Sequence, residues 1–382
     1  MKIKYVNWLG REGNLNEKRR FLLMVFFALT LFGLLMVYEA SSIYAWKRFG
    51  DGGYFFKRQA LFFILGVIVF YFTLFLNLDI LRRYSREFLL FNIFLLLMVV
   101  LVGREAGGAK RWLPILGFSF QPSELLKVSC LLYCADYFHR KGRLIRNFVH
   151  GVLPLMIVYG IIFLLIFFQR DLGTVFFWLI WIFLFLFILK ARKRDLLFLS
   201  IVGIFLFILL IHLFPSRINR IIAYLNPWLD PQQGGYQLVQ SQIAFGEGGI
   251  FGVGLGRGKQ KLLFLPAAHT DFIFSIIAEE FGFLGAGFLL ILLFLIFTKM
   301  LFISSLVKPG FRRNICIGIS LIFGLEVLIN TGVSCGFFPT KGLPLPFISY
   351  GGSNLVTHYF LLGLFFNASK SSNLVFPEGE KR

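Results

Sequence analysis

The residues with chemical promise gather between 242 and 285 and in short polar segments that interrupt apolar runs. The stretch Leu265-Pro266-Ala267-Ala268-His269-Thr270-Asp271 ends on a carboxylate at the entrance to one such run. Asp271 has two readings. With Thr270 it can cap a helix by accepting free backbone N–H groups, or it can act as a general base kept ionised by a basic loop. His269 adds a donor or a metal ligand, although a lone His-x-Asp is a weak signal. Just upstream, seven glycines fall within Gly246–Gly258, followed by Lys259, Gln260 and Lys261. No G-x-G-x-x-G phase exists there, and Gln260 after Lys259 breaks the P-loop pattern. The glycines serve either tight turns or a ring of N–H groups lining an anion site beside Arg257, Lys259 and Lys261.

Further polar residues come from other segments. Arg111-Trp112 is either an interfacial anchor pair or a phosphate clamp. Gln121-Pro122-Ser123-Glu124 reads as a helix start, with proline in the first turn and Lys127 three residues beyond Glu124. Gln169-Arg170-Asp171 makes a tight turn, and Lys341 is the one cation in the proline-rich segment Pro339–Ser353. Glu279, Glu280 and Glu326 lie inside apolar runs, where acids are costly and take functional or paired roles. Helical phase puts Glu279 near the face of Asp271 and Glu280 half a turn away, which leaves the inward glutamate open. No Ser-His-Asp or Cys-His nucleophile is visible, and Cys130, Cys134, Cys316 and Cys335 lack zinc spacing. One dominant carboxylate with several cations suits an anionic, lipid-linked substrate better than peptide hydrolysis.

The elements that position these residues follow from composition. Of 382 residues, 58% are hydrophobic and 15% charged; 51 are Phe, and mean hydropathy is +0.78. Surface-to-volume scaling leaves a soluble fold no room to bury that much apolar surface. The fold class expected is therefore an all-α polytopic membrane protein. A span needs about 20 mostly apolar residues, and ten segments qualify: 21–42, 59–76, 88–103, 122–138, 151–168, 173–189, 196–214, 272–297, 314–335 and 350–367. A basic tail (1–20) precedes an uncleaved first anchor, a single membrane domain covers 21–368, and a second tail covers 369–382. The net charge of +20 comes without a nucleic-acid recognition motif, so no nucleic-acid partner is expected. Basic residues number 24 in one set of connections and 14 in the other, longer set. The positive-inside rule then places both termini in the cytoplasm and the long 215–271 connection, between spans seven and eight, outside. Within it, 236–245 suits a short interfacial helix.

Four stretches together carry a resemblance: Gly107–Lys127, Gln169–Thr174, Gln242–Gly285 and Asn330–Ser353. In order and placement they resemble the SEDS family of polytopic peptidoglycan glycosyltransferases, over about residues 20–368. Gln260–Pro266 and Pro339–Gly352 are more similar to the division branch than to the elongation or sporulation branches. The resemblance implies a ten-helix fold in the cytoplasmic membrane and polymerisation of lipid II, the undecaprenyl-pyrophosphate-linked disaccharide peptide, at the outer face. It also implies a class B penicillin-binding protein transpeptidase and other division-complex membrane proteins as partners. The family's catalytic aspartate falls on Asp271. Arg111, Lys261 and Lys341 are expected on the pyrophosphate, with Glu124, Lys127, Gln260, His269 and Ser349 as further substrate-binding residues. No cofactor is certain; Mg2+ or Mn2+ would serve pyrophosphate departure as a Lewis acid, and its ligands are unknown from sequence. A flippase without chemistry and a non-catalytic scaffold are the competing readings. Arg170, Ala267 and Asn354 depart from the family pattern, which usually has proline, an acidic residue and serine there.

Overall fold

The computed structural model describes residues 15–106, 109–115, 118–213, 224–232 and 234–370. Most of both predicted tails and the start of the 215–271 connection lie outside the described residues. Twelve α-helices are seen among them. They are α1 (Leu15–Phe49), α2 (Tyr54–Phe75), α3 (Leu78–Arg83), α4 (Ser85–Val102), α5 (Pro122–Lys141) and α6 (Leu153–Phe168). After these come α7 (Leu172–Ile188), α8 (Lys193–Leu213), α9 (Tyr236–Gly248), α10 (Ile273–Leu306), α11 (Phe311–Ser334) and α12 (Gly352–Ala368). Ten of these lie over the ten predicted spans. The other two are α3, begun where Asn77 accepts the Asp79 amide at 2.9 Å, and α9, the short helix expected in the long connection.

Six helices (α1, α2, α4, α6, α10 and α11) are long and apolar enough to cross a membrane, and α7 is apolar but shorter. The chain is a multi-pass membrane protein. Helix α5 reads as polar because it carries Glu124, Lys127 and Asp136, yet all three are buried within the bundle. Helix α11 is the axis: its span is almost wholly buried, whereas the other apolar spans bury less than half of theirs. Trp181 of α7 fixes one side of it by donating to the Gly318 carbonyl at 3.1 Å. Helix α12 lies against both α2 and α11.

One element has no counterpart in the sequence reading. Between α4 and α5, β1 (Arg104–Ala106), β2 (Ala109–Ile115) and β3 (Phe118–Phe120) form an antiparallel sheet in that order. Leu113 pairs with Phe120 and Ile115 with Phe118. Side chains two apart on a strand share a face, so Arg111 points the same way as buried Leu113.

Helix α10 breaks at Gly282, which has φ 69° and ψ −170°. A break frees carbonyls and amides that need partners, and the glycine-rich run supplies them. Val253 and Gly254 donate to the carbonyls of Glu279 and Glu280 at 3.0 Å each; Phe283 and Leu284 donate to those of Gly249 and Ile250 at 2.9 and 3.1 Å. A Cβ on Gly252 would lie 2.2 Å from the Glu280 carbonyl oxygen, so only glycine permits this approach. The run therefore serves backbone docking. Its anion-site reading also loses donors, because the Lys259 and Gln260 amides both bond Glu279.

Candidate active site

The connections α1–α2, α4–α5, α6–α7 and α11–α12 meet at one end of the bundle together with the turn that leads into α10. Asp271 sits in that turn, two residues before the helix. The α10 N-cap is Phe272 and makes no side-chain cap, while Thr270 bonds back to the Ala267 carbonyl. The capping reading of Asp271 is therefore not what the structure shows. Its carboxylate, half-buried, has no hydrogen-bond or ion-pair partner among the described residues. Burial pushes it up to about 7, and Arg111 pulls the other way. A Cβ on Gly342 would lie 3.2 Å from Oδ2 of Asp271 and 3.7 Å from Nη1 of Arg111. The base candidate and the guanidinium thus face each other across one glycine. The charge that reaches Asp271 comes from Arg111, not from the expected Arg257, Lys259 and Lys261.

Arg111 is held by a two-point contact with Asp171, Nη2 at 3.1 Å from Oδ1 and Nε at 3.0 Å from Oδ2. Asp171 in turn caps α7, accepting from the Thr174 amide at 3.3 Å and hydroxyl at 2.9 Å. Lys341 reaches the same turn, donating to the Gly173 carbonyl at 3.3 Å and lying 3.9 Å from the Phe176 ring centroid. Burial pulls its ammonium down to about 7, opposed by Asp171. Three separate connections therefore bring Arg111, Lys341 and Asp271 together. Arg170 has φ 62°, which a proline ring forbids, so this turn is built differently from the proline-bearing one the resemblance implies.

Of the other predicted site residues, His269 and Ser349 border the Asp271 turn, and the rest lie elsewhere. Lys261 is buried between Glu39 on α1 (2.7 Å) and Glu280 on α10 (2.6 Å). Burial works against its charge, but Glu280 and Glu39 hold it above the ordinary lysine range. Gln260 is buried beside it, with its amide on Glu279. Both glutamates of α10 thus face the returning connection, which settles the question left open by helical phase. His269 packs among Phe55, Tyr44 and Tyr350, with ring centroids 4.5, 5.7 and 5.7 Å away. Burial pushes it down to about 4, so it is a neutral ring in an aromatic nest. Ser349 is buried against the main chain that leads to Asp271, donating to the Thr270 carbonyl at 2.5 Å.

Glu124 and Lys127 belong to a closed ring of contacts among residues of α5, α11 and α12. Lys127 bonds Glu124 at 2.6 Å and contacts Glu326. Glu326 bonds Nε2 of His358 at 2.6 Å, and Nδ1 of His358 lies 2.8 Å from the Asn354 carbonyl. The Asn354 amide returns to Glu124 at 3.0 Å. Asn354 is one of the three departures, and here it closes the ring. His358 has no part in the sequence reading; its only signal is an ionisable residue within a mostly apolar span. No group of three or more His, Cys, Asp or Glu side chains that could hold a metal ion occurs among the described residues.

A family model described as "Cell cycle protein", FtsW/RodA/SpoVE, matches residues 19–374. The chain belongs to this family. It is 38% identical over 361 residues to a probable peptidoglycan glycosyltransferase FtsW of Geobacter sulfurreducens, covering 93% of this chain and 97% of the relative. A protein of the same name from Escherichia coli is 39% identical over 340 residues, covering 88% and 82%. Among solved structures, the fold matches a chain of a peptidoglycan synthase complex that coordinates polymerization and crosslinking. That match has 27% identity and a TM-score of 0.74, covering 95% of this chain and 98% of the other. The rod shape determining protein RodA of Thermus thermophilus matches at 26% identity and TM-score 0.69, covering 96% and 98%. These two solved structures share the bundle described above.

Proposed function

We propose that this chain is a peptidoglycan glycosyltransferase of the division type, polymerising lipid II with Asp271 as the general base. The carrying observation is an unpartnered, half-buried carboxylate facing a guanidinium across Gly342, in a chain similar to proteins named for this activity. The 4-hydroxyl of one sugar attacks the anomeric carbon of another, displacing the lipid pyrophosphate. One in-line displacement turns an α-linked donor into a β-linked product, so no covalent enzyme intermediate is needed. Asp271 takes the hydroxyl proton as the bond forms. A carboxyl near 7 is well matched to that task, since a base works best with a pKa near the operating pH. Arg111 and Lys341 neutralise the departing pyrophosphate. Lys261 is assigned instead to holding the connection, because two carboxylates already claim its ammonium. Mg2+ or Mn2+ bound to the pyrophosphate oxygens would supply Lewis-acid help to its departure.

The excess of basic residues in the opposite connections supports cytoplasmic termini and an extracytoplasmic active site. Likeness to a chain from a synthase complex supports a class B penicillin-binding protein as partner, with other division-complex proteins around it. Cys335 tests the topology: it is the exposed cysteine at the mouth, while the other three are buried. A membrane-impermeant maleimide should label it in intact cells, and labelling only after permeabilisation would reverse the orientation. The activity is tested with purified protein and labelled lipid II. Glycan strands should form with the wild type and not with Asp271→Ala. Lipid movement across vesicles without polymer would favour the flippase reading.

A further inference from the structure

Asp271 lies in a turn with no regular ladder to fix it, yet its main chain is tied at every step. The carbonyls of His269, Thr270 and Asp271 are each taken by a different donor. Tyr350 N–H bonds the first at 2.9 Å, the Ser349 hydroxyl bonds the second at 2.5 Å, and the Asn330 amide bonds the third at 2.9 Å. The second N–H of Asn330 bonds the Leu343 carbonyl at 2.8 Å. One side-chain amide therefore joins the residue after Gly342 to the carbonyl of Asp271 itself. Ser349 is locked from behind: its hydroxyl accepts from the Leu345 amide at 2.8 Å. Gln59 of α2 donates to the Ser349 carbonyl and accepts from the Gly351 amide, both at 3.1 Å. Gln59, Asn330 and Ser349 are all buried. The amides of Thr270, Asp271 and Phe272 meanwhile converge on the Ala267 carbonyl at 3.1, 3.1 and 3.3 Å.

We infer that Asn330 and Ser349, braced by Gln59, are positioning residues that hold the turn carrying Asp271 in register with the connection carrying Lys341 and Gly342. The inference rests on the reading of Asp271 as the base. Displacement needs the base on one side of the anomeric carbon and the leaving-group cations on the other. The two sets arrive on separate segments, so their spacing depends on whatever joins those segments. Asn330 is that join, and it is anchored on α11, the most buried helix of the bundle. A buried amide costs free energy unless its N–H groups are used, and here both are used on the two segments in question. Ser349, expected from the resemblance to touch substrate, has its hydroxyl engaged as both donor and acceptor within the protein.

The test uses full-length protein in detergent, with Asn330→Leu, Ser349→Ala and Asp271→Asn measured beside the wild type. Thermal unfolding and size-exclusion profiles report folding, and rates are taken per folded molecule. A misplacement of about 1 Å can cost ~10²-fold in rate, so kcat on lipid II should fall about 10–100-fold in the first two variants. KM should stay within about twofold, the pattern of a lost transition-state arrangement. Hydrogen–deuterium exchange over 343–351 should quicken in Asn330→Leu. Unchanged kcat and exchange in folded variants would overturn the inference. A raised KM with intact kcat in Ser349→Ala would return that residue to substrate binding and also overturn its part. Asp271→Asn keeps the two readings separate. Active Asp271→Asn refutes the base, whereas inactive Asp271→Asn beside fully active Asn330→Leu and Ser349→Ala refutes only the positioning role. Because Asn330→Leu strands two carbonyls, Ser349→Ala is the milder variant that decides if the first fails to fold.

Discussion

The ring on α5, α11 and α12 and the mouth around Asp271 both place charged groups in an apolar bundle, but they treat those groups oppositely. In the ring, Lys127, Glu124, Glu326, His358 and Asn354 bond one another in a closed circuit across three helices. At the mouth, Asp171 holds Arg111 and Lys341 reaches a carbonyl and a ring face, while Asp271 has no bonding partner among the described residues. A buried charge that is fully paired fixes geometry and has nothing left for a substrate. A charge left unpaired is held in a raised-energy state by the fold, and a reactant can relieve it. The proposed function accordingly puts the chemistry at the mouth and leaves the ring a structural part, even though the ring contains more ionisable groups.

The contrast is broken most severely at Asp271. General-base contributions run about 10²–10⁴-fold, so Asp271→Asn should lose that much in polymerisation rate. Its stability should move the other way. The folded carboxyl is raised from 3.8 to about 7, so the wild type gives up stability as pH climbs between those values. A neutral asparagine escapes that loss, and Asp271→Asn should unfold at a higher temperature than wild type at pH 8. In the ring, Glu326→Gln leaves Lys127 short of a counter-charge and removes the carboxylate that bonds His358. Breaking a buried pair costs about 3–5 kcal/mol, so its melting temperature should drop sharply. A Glu326→Gln protein as stable as wild type would remove the distinction between the clusters.

Smaller effects sharpen the account. Charge-assisted contacts contribute about 1.5–3 kcal/mol each, so Arg111→Ala should lower kcat/KM about 10–150-fold. Equal kinetics in a folded Arg111→Ala protein would end its role on the pyrophosphate. Lys341 falls to about 7 in the folded protein, and it must be protonated to serve. Activity should therefore decline as pH rises past 7, and Lys341→Arg, which stays charged, should hold activity into the alkaline range. An unchanged alkaline limb in Lys341→Arg would show that Lys341 does not set it.

Much of this was legible in the sequence because it is local. Apolar runs of span length give the ten long helices, and Asp271, Arg111 and Lys341 each stand out in a polar segment between such runs. What was not legible depends on partners far along the chain. Lys261 reads as a free cation beside Lys259 and Arg257, but Glu39 lies 222 positions away and claims it. Helical phase could not decide between Glu279 and Glu280 because their partners are not on the helix at all; they come from the returning connection that docks at the Gly282 break. Gln59, Asn330 and His358 are polar residues within otherwise apolar spans. Their sequence signal is the cost of burying them, which says that a partner exists but not which one. The small β-sheet is not legible because its strands are only three to seven residues long and β2 contains Pro114, a strand-weakening residue.

The central claim is that the group performing the chemistry is a carboxylate whose burial has raised it to about 7. The pH dependence of kcat/KM for lipid II polymerisation tests this most directly, because it reports the free enzyme's essential base. The acid limb should have its midpoint near pH 7, with the rate falling tenfold for each unit below it. A profile that stays flat down to pH 5, the range of an ordinary exposed carboxylate, would contradict the account.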